Sequence, residues 1–145
     1  MKILDKKLCI ASDHAGYRLK EDVKNHLISK NISIIDLGPF SDSSVDYPIF
    51  AKKVSNRVKS KRSDKGILIC GSGTGMAISA NKTKGIRAAV CYNTKSTKLS
   101  RQHNNANVIC LGSRFTNKSI ALKLIDTFLK TKFEGGRHLR RVKKI

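Results

Sequence analysis

A chain of 145 residues with a formal net charge of +20 is long enough for one domain with a buried core and short for two. Four separated cysteines, Cys9, Cys70, Cys91 and Cys110, with no CxxC pair and no clustered histidine spacing, argue against a disulfide framework or a structural metal and predict reduced thiols in a cytoplasmic protein. No window approaches ~18 uninterrupted apolar residues and the N-terminus lacks a leader pattern, so neither membrane insertion nor secretion is expected.

The charge first suggests nucleic acid, because a basic surface displaces counterions from a phosphate backbone. Its distribution argues otherwise. Lysines run from Lys2 to Lys144 at solvent-facing positions of candidate helices, aromatic residues make up only 6%, and no nucleic-acid-binding motif accompanies them. Such a field suits the concentration of a small anionic substrate. Only the tail, about 133–145, with RHLRRVKKI from Arg137, is a dense basic cluster, and by itself it reads as a frayed, solvated end.

Leu8 to Ser12 is the first short apolar run and reads as a buried parallel strand. Leu19, Val23 and Leu27, at i, i+4 and i+8, mark a helix. A second strand is predicted over Ile32 to Asp36, followed by LGPFSDSSVDYP, Leu37 to Pro48, whose turn residues make it a candidate active-site loop. Pro48, after Asp46 and Tyr47, suits the first turn of a helix carrying Val54 and Val58. Gly66 to Cys70 is the third strand and runs directly into Gly-Ser-Gly-Thr-Gly. Ala88 to Tyr92 and Val108 to Leu111 are the fourth and fifth. Asn117 is placed to cap a last helix with Ile120, Leu124 and Phe128. Five strand-helix repeats predict one domain, a three-layer α/β/α sandwich of Rossmann-like type around a five-stranded parallel sheet, with strand order left open.

Ligands of open α/β sheets bind beyond the carboxyl ends of the strands. Those ends deliver Asp13 and His14, then Asp46 and Tyr47, Cys70 with its glycines, Asn93, and finally Gly112, Ser113 and Arg114. Gly71, Gly73 and Gly75 let successive N–H groups turn toward one anion at a helix start. The run is not GxGxxG, because Met76 stands where glycine is needed, and no Gly-Lys-Ser/Thr makes it a Walker loop. Alone it fits either an anion cradle or a ligand-free tight turn. Cys9, Cys91 and Cys110 read as packing thiols, whereas Cys70 ends its strand beside amide dipoles that favour a thiolate. His26 reads as solvated and His138 belongs to the basic tail. His14 and His103 read as two histidines at one rim beside the thiol, candidates for acid–base work.

Together, SDHAGYRLK (12–20), DYP (46–48), ILICGSGTGM (67–76), SANKTKGIRA (79–88), SRQHNNANV (100–108), LGSR (111–114) and EGGRHLRRV (134–142) resemble the type B ribose-5-phosphate isomerase family, within the sugar-phosphate isomerases that also include galactose- and allose-phosphate isomerases. The resemblance spans nearly the whole chain, with its motifs in order. It implies interconversion of ribose 5-phosphate and ribulose 5-phosphate through an enediolate, in the non-oxidative pentose phosphate pathway, without metal or cofactor. It implies that Cys70 moves the proton between C2 and C1, that His103 protonates the ring oxygen to open the furanose, and that Gly71, Ser72, Gly73, Thr74 and Gly75 face the enediolate. Asp13 and Asn104 would hold sugar hydroxyls, His14, Arg137 and Arg141 the phosphate, and Tyr47 and Arg114 would line the site. A homodimer, or a dimer of dimers, with shared sites is implied, and the basic tail would reach the partner subunit.

Two departures bear on that reading. Family members without this cysteine carry a glutamate base where Met76 stands, so the chemistry here depends on Cys70. Ser72 occupies a position where the family often has threonine. The alternatives are an isomerase of hexose 6-phosphates, a phosphate-binding module without catalysis, and a nucleic-acid-binding protein using the tail.

Overall fold

The structure, a computed structural model, describes residues 8–145. Lys2 and the first half of the N-terminal stretch judged for a leader pattern lie outside the described residues. Among those described, no helix is long and apolar enough to cross a membrane.

Five parallel strands, β1 (Leu8–Ser12), β2 (Ile34–Asp36), β3 (Gly66–Cys70), β4 (Ala88–Val90) and β5 (Val108–Gly112), form one sheet in the order β2-β1-β3-β5-β4. Helices connect them: α1 (Tyr17–Ser29), α2 (Tyr47–Lys59), α3 (Thr74–Ala80), α4 (Thr94–Asn104) and α5 (Lys118–Lys130), with a terminal α6 (Arg137–Val142). The three-layer sandwich is as expected. Alternate strand residues serve its two faces, as the two-residue period requires. Ile10, Ile67, Ile69, Ile109 and Leu111 meet Leu19, Val23 and Leu27 of α1 and Leu124, Ile125 and Phe128 of α5. Cys9, Ala11, Leu68, Val108 and Cys110 meet Phe50, Val54 and Val58 of α2 and Met76, Ala77 and Ala80 of α3.

Not every strand is buried on both faces. β1, β3 and β5 are, but β2 and β4 are half-buried edges and shorter than the predicted spans. Ile32 is lost to β2 because its N–H closes the end of α1 on the Leu27 carbonyl at 2.9 Å, past Asn31 at φ +60°. The helix starts follow the sequence. Pro48 sits in the first turn of α2, and the Asn117 side chain accepts from the Ile120 N–H at 2.9 Å. Asn93 does the same for Ser96 at 2.8 Å, a capping role in place of the expected one at the ligand edge.

Two expectations about charge are corrected. Lys20 is fully buried, its ammonium 2.6 Å from Asp36 and 3.3 Å from Glu21, with Lys24 also 2.7 Å from Asp36. Burial pushes the Asp36 carboxyl up, but hydrogen bonds from Lys20, Lys24 and the Gly38 N–H outweigh it and bring it below its usual value. The tail is no frayed end: α6 packs on α4, and the Glu134 N–H donates to the Gln102 carbonyl at 3.1 Å.

Candidate active site

Neighbouring β1 and β3 send their loops to helices on opposite faces of the sheet, α1 and α3, so a crevice opens between their carboxyl ends. It is an open cleft of about 440 Å³ lined by Asp13, Tyr47, Cys70, Gly71, Ser72, Thr74, Gly75, Arg114 and Ile78. Eight of these are sequence-predicted site residues. Ile78, exposed on α3 one turn beyond Thr74, was missed, since an apolar helix residue carries no chemical signal.

The main chain shapes this edge. Cys70 closes β3, and its sulfur accepts the Gly73 N–H at 3.1 Å. That bond requires Gly73 at φ +80°, in the left-handed region. The Thr74 N–H turns onto the Ser72 hydroxyl at 3.2 Å. Two N–H groups of the glycine run therefore serve the thiol and the loop itself, where the whole run was expected to face the substrate. The segment after β5 clamps it from beside: the Ser113 N–H donates to the Cys70 carbonyl at 2.9 Å and the Arg114 N–H to the Gly71 carbonyl at 3.0 Å. Gly112 permits this approach, because a Cβ there would lie 2.6 Å from the Ser72 carbonyl oxygen. Met76 is buried in the core against α2 and cannot serve as a base.

Asp13 is anchored from both sides. Its N–H donates to the Ile69 carbonyl at 3.0 Å and its carboxylate accepts from the Gly16 N–H at 3.0 Å. His14 accepts the Val45 N–H on Nδ1 at 3.2 Å, which pins the loop before Tyr47 and leaves Nε2 as the nitrogen that carries a proton. The other thiols are suppressed. Burial pushes Cys9 up to about 11, raises Cys91, and raises Cys110 further, with Cys70 and Cys91 adding repulsion at Cys110.

His103 is not at this rim. The chain leaves β4 at the carboxyl edge and descends along α4, so His103 and Asn104 arrive at the amino edge, where the Asn104 and Asn105 carbonyls receive the Arg87 Nε just before β4. Within one chain Cys70 and His103 are separated by the height of the sheet, on the order of 15 Å for a five-residue strand. The expectation of two histidines at one rim is corrected, because a helix crossover returns the chain to the opposite edge. His103 and Asn104 instead share a second cavity of about 430 Å³ with His138, Arg141, Val142 and Ile145, and Arg137 opens the same helix α6. In the sequence His138 belongs to the basic tail. Here its ring stacks on His103, centroids 4.2 Å apart, and Glu134 reaches both at 3.7 Å. Desolvation, then the neighbouring His103 and Arg137, push His138 below its ordinary value.

Fold and cleft together define an open-sheet α/β protein with an open cleft at its topological switch point, lined by a thiol at a strand end. The chain belongs to the ribose/galactose isomerase family, whose model matches residues 8–145. It is 52% identical over 139 residues to a probable ribose-5-phosphate isomerase B of Mycoplasma genitalium, covering 94% of this chain and 91% of that protein. Among solved structures, a ribose 5-phosphate isomerase from Thermotoga maritima superposes with a TM-score of 0.94 at 51% identity, covering 95% of each chain. The ribose-5-phosphate isomerase B of Mycoplasma genitalium with bound ribulose 5-phosphate superposes with a TM-score of 0.90 at 49% identity, covering 95% of this chain and 92% of that one.

Proposed function

We propose that this protein interconverts ribose 5-phosphate and ribulose 5-phosphate, with Cys70 as the base. One observation carries the assignment: the Cys70 sulfur sits at the mouth of the sheet with a main-chain N–H directed at it, in a cleft of polar groups sized for a sugar phosphate. The Gly73 N–H fixes the sulfur at the cleft, where the reaction needs a proton-accepting group. Cys70 takes the proton from C2 and returns it to C1, and N–H groups of the Gly71–Gly75 segment not used within the loop, with the Ser72 hydroxyl, receive the enediolate oxygens. Asp13 orients a sugar hydroxyl, with Tyr47 and Arg114 bounding the cleft. The bound product in the Mycoplasma genitalium relative and the family's printed name support this substrate. The reaction belongs to pentose phosphate metabolism, and the four separate buried thiols support a cytoplasmic setting.

The active assembly is a homodimer. His103, as the acid that opens the furanose, must approach the sugar held at Cys70, yet the fold keeps the two at opposite edges of one sheet. A second copy brings its own amino edge, with His103, Asn104, Arg137 and Arg141, over the first copy's cleft. His14 and the two arginines then meet the phosphate, where guanidinium forks match its oxygens.

Mixing tests both parts. Cys70→Ala and His103→Asn chains are each expected to be inactive toward ribose 5-phosphate. After dissociation and reassembly of an equal mixture, half of the dimers are hybrids with one of two sites intact, so about a quarter of wild-type activity returns. No recovery overturns the shared site. Faster wild-type turnover of allose 6-phosphate or galactose 6-phosphate than of ribose 5-phosphate overturns the pentose assignment.

A further inference from the structure

The cluster beside the second cavity has a chemistry that the isomerase reading leaves unused. Glu134 precedes α6, and its main-chain bond to Gln102 straps it to the end of α4 independently of its side chain. Its Oε1 lies 3.7 Å from Nε2 of His103 and 3.7 Å from Nε2 of His138, and the three donor atoms all fall within 4.8 Å of one another. A tetrahedral zinc shell with bonds of about 2.0–2.1 Å holds its ligand atoms roughly 3.3–3.4 Å apart. Only a few tenths of an ångström separate the two carboxylate–imidazole distances from that shell. The rings, now 12° from parallel, must splay about torsions whose wells are broad. The sequence hides the set, because its members come from α4 and the tail, thirty-one positions apart between His103 and Glu134.

The geometry points to a divalent metal site formed by His103, Glu134 and His138, selective for borderline ions of the zinc class and inhibitory when filled. Two imidazoles and one carboxylate are a common zinc ligand set, with a fourth position left for water. Arg137 and Arg141 of α6 oppose any cation by charge alone. That opposition discriminates: hard ions such as magnesium, which rely on charge and oxygen ligands, are rejected, while zinc, cobalt or nickel gain from imidazole bonds. An ion here occupies the Nε2 lone pair of His103 and removes it from acid–base work. The inhibition rests on the proposed role of His103, whereas the binding does not.

Cobalt(II) serves as the spectroscopic probe, titrated into the full-length protein, its Glu134→Gln and His138→Asn variants, and a His26→Asn control. His26 contacts Asp126 at 2.8 Å and is the other histidine–carboxylate pair among the described residues able to attract an adventitious ion. One cobalt per chain with tetrahedral d–d absorption is expected. Affinity should fall in both cluster variants by more than the 10–100-fold typical of losing an outer-shell partner, and stay unchanged in the control. Zinc should displace cobalt and suppress ribose 5-phosphate turnover over the same concentration range, with recovery on EDTA, and magnesium should do neither. A cobalt signal unaffected by Glu134→Gln and His138→Asn, or lost in the His26 control, overturns the site. A thiolate-to-cobalt band lost in Cys70→Ser places the ion at the sulfur and likewise overturns it. If cobalt binds as expected and turnover continues undiminished, the inhibitory role falls. Activity measured without metal reports separately on the isomerase assignment.

Discussion

The carboxyl and amino edges of the sheet position functional groups by different means. At the carboxyl edge, Cys70 and Gly71 are held by the N–H groups of Gly73, Ser113 and Arg114, and the Ser72 hydroxyl by that of Thr74, over a fully buried strand. At the amino edge, His103, Glu134 and His138 are side chains on a helix end and the tail, joined by ring stacking and by contacts of 3.7 Å to the carboxylate. The first arrangement is complete within one chain, as the proposed base and its donors need if they are to be preorganised. The second is carried by side chains on helix ends, which in the proposed dimer would meet a substrate held by another copy.

Removal of the thiol is the most direct way to break this contrast. Cys70→Ala should lower kcat by about 10²–10⁴-fold, the range expected for a lost general base, with the far-ultraviolet circular dichroism spectrum unchanged. A rate within tenfold of wild type would move the base elsewhere.

The rigidity of the carboxyl edge depends on its buried charges. Asp36→Asn leaves the enclosed Lys20 ammonium only its longer contact to Glu21 and should cost about 3–5 kcal/mol, read from urea denaturation. Because the folded Asp36 pKa is lowered, its stabilisation is complete above the ordinary carboxylate value of about 3.9 and is lost as pH falls through the folded value. An acid limb of the stability curve equally steep in Asp36→Asn would assign that limb to other carboxylates.

The amino edge should show the reverse pattern, with function affected and stability spared. Arg137 is exposed, so Arg137→Ala should leave the denaturation midpoint within about 0.5 kcal/mol of wild type. It should raise KM for ribose 5-phosphate by about tenfold or more, the weight of a charge-assisted hydrogen bond. An unchanged KM excludes Arg137 from the phosphate. The smallest effect separates the thiols themselves. Iodoacetamide should label Cys70 before Cys9, Cys91 and Cys110, whose burial holds them protonated, and equal rates by mass spectrometry would remove the distinction.

Much of the carboxyl edge was legible in the sequence because its determinants are contiguous. A strand, a terminal cysteine and three glycines lie within eleven residues, and a continuous apolar run of strand length identifies the strand unaided. α4 was harder, since Thr97, Ser100 and Arg101 are what it buries and no apolar stripe announces it. Arg101 stays inside by donating to the carbonyls of Thr131 and Ala106, partners distant or irregular in sequence. Lys20 reads as a surface lysine in the sequence for a similar reason: its carboxylate, Asp36, lies across a helix and a turn.

The sequence alone determined the five strands, the helices α1, α2 and α5, the caps at Pro48 and Asn117, and the thiol with its glycine turn, all read from neighbours along the chain. Tertiary structure alone decided that β2 and β4 are edges, that Lys20 is buried, and that His138 and Glu134 flank His103. It also decided that Cys70 and His103 stand at opposite ends of one sheet. Strand order and crossover direction follow from how whole faces bury one another, a long-range balance of packing that no local pattern encodes.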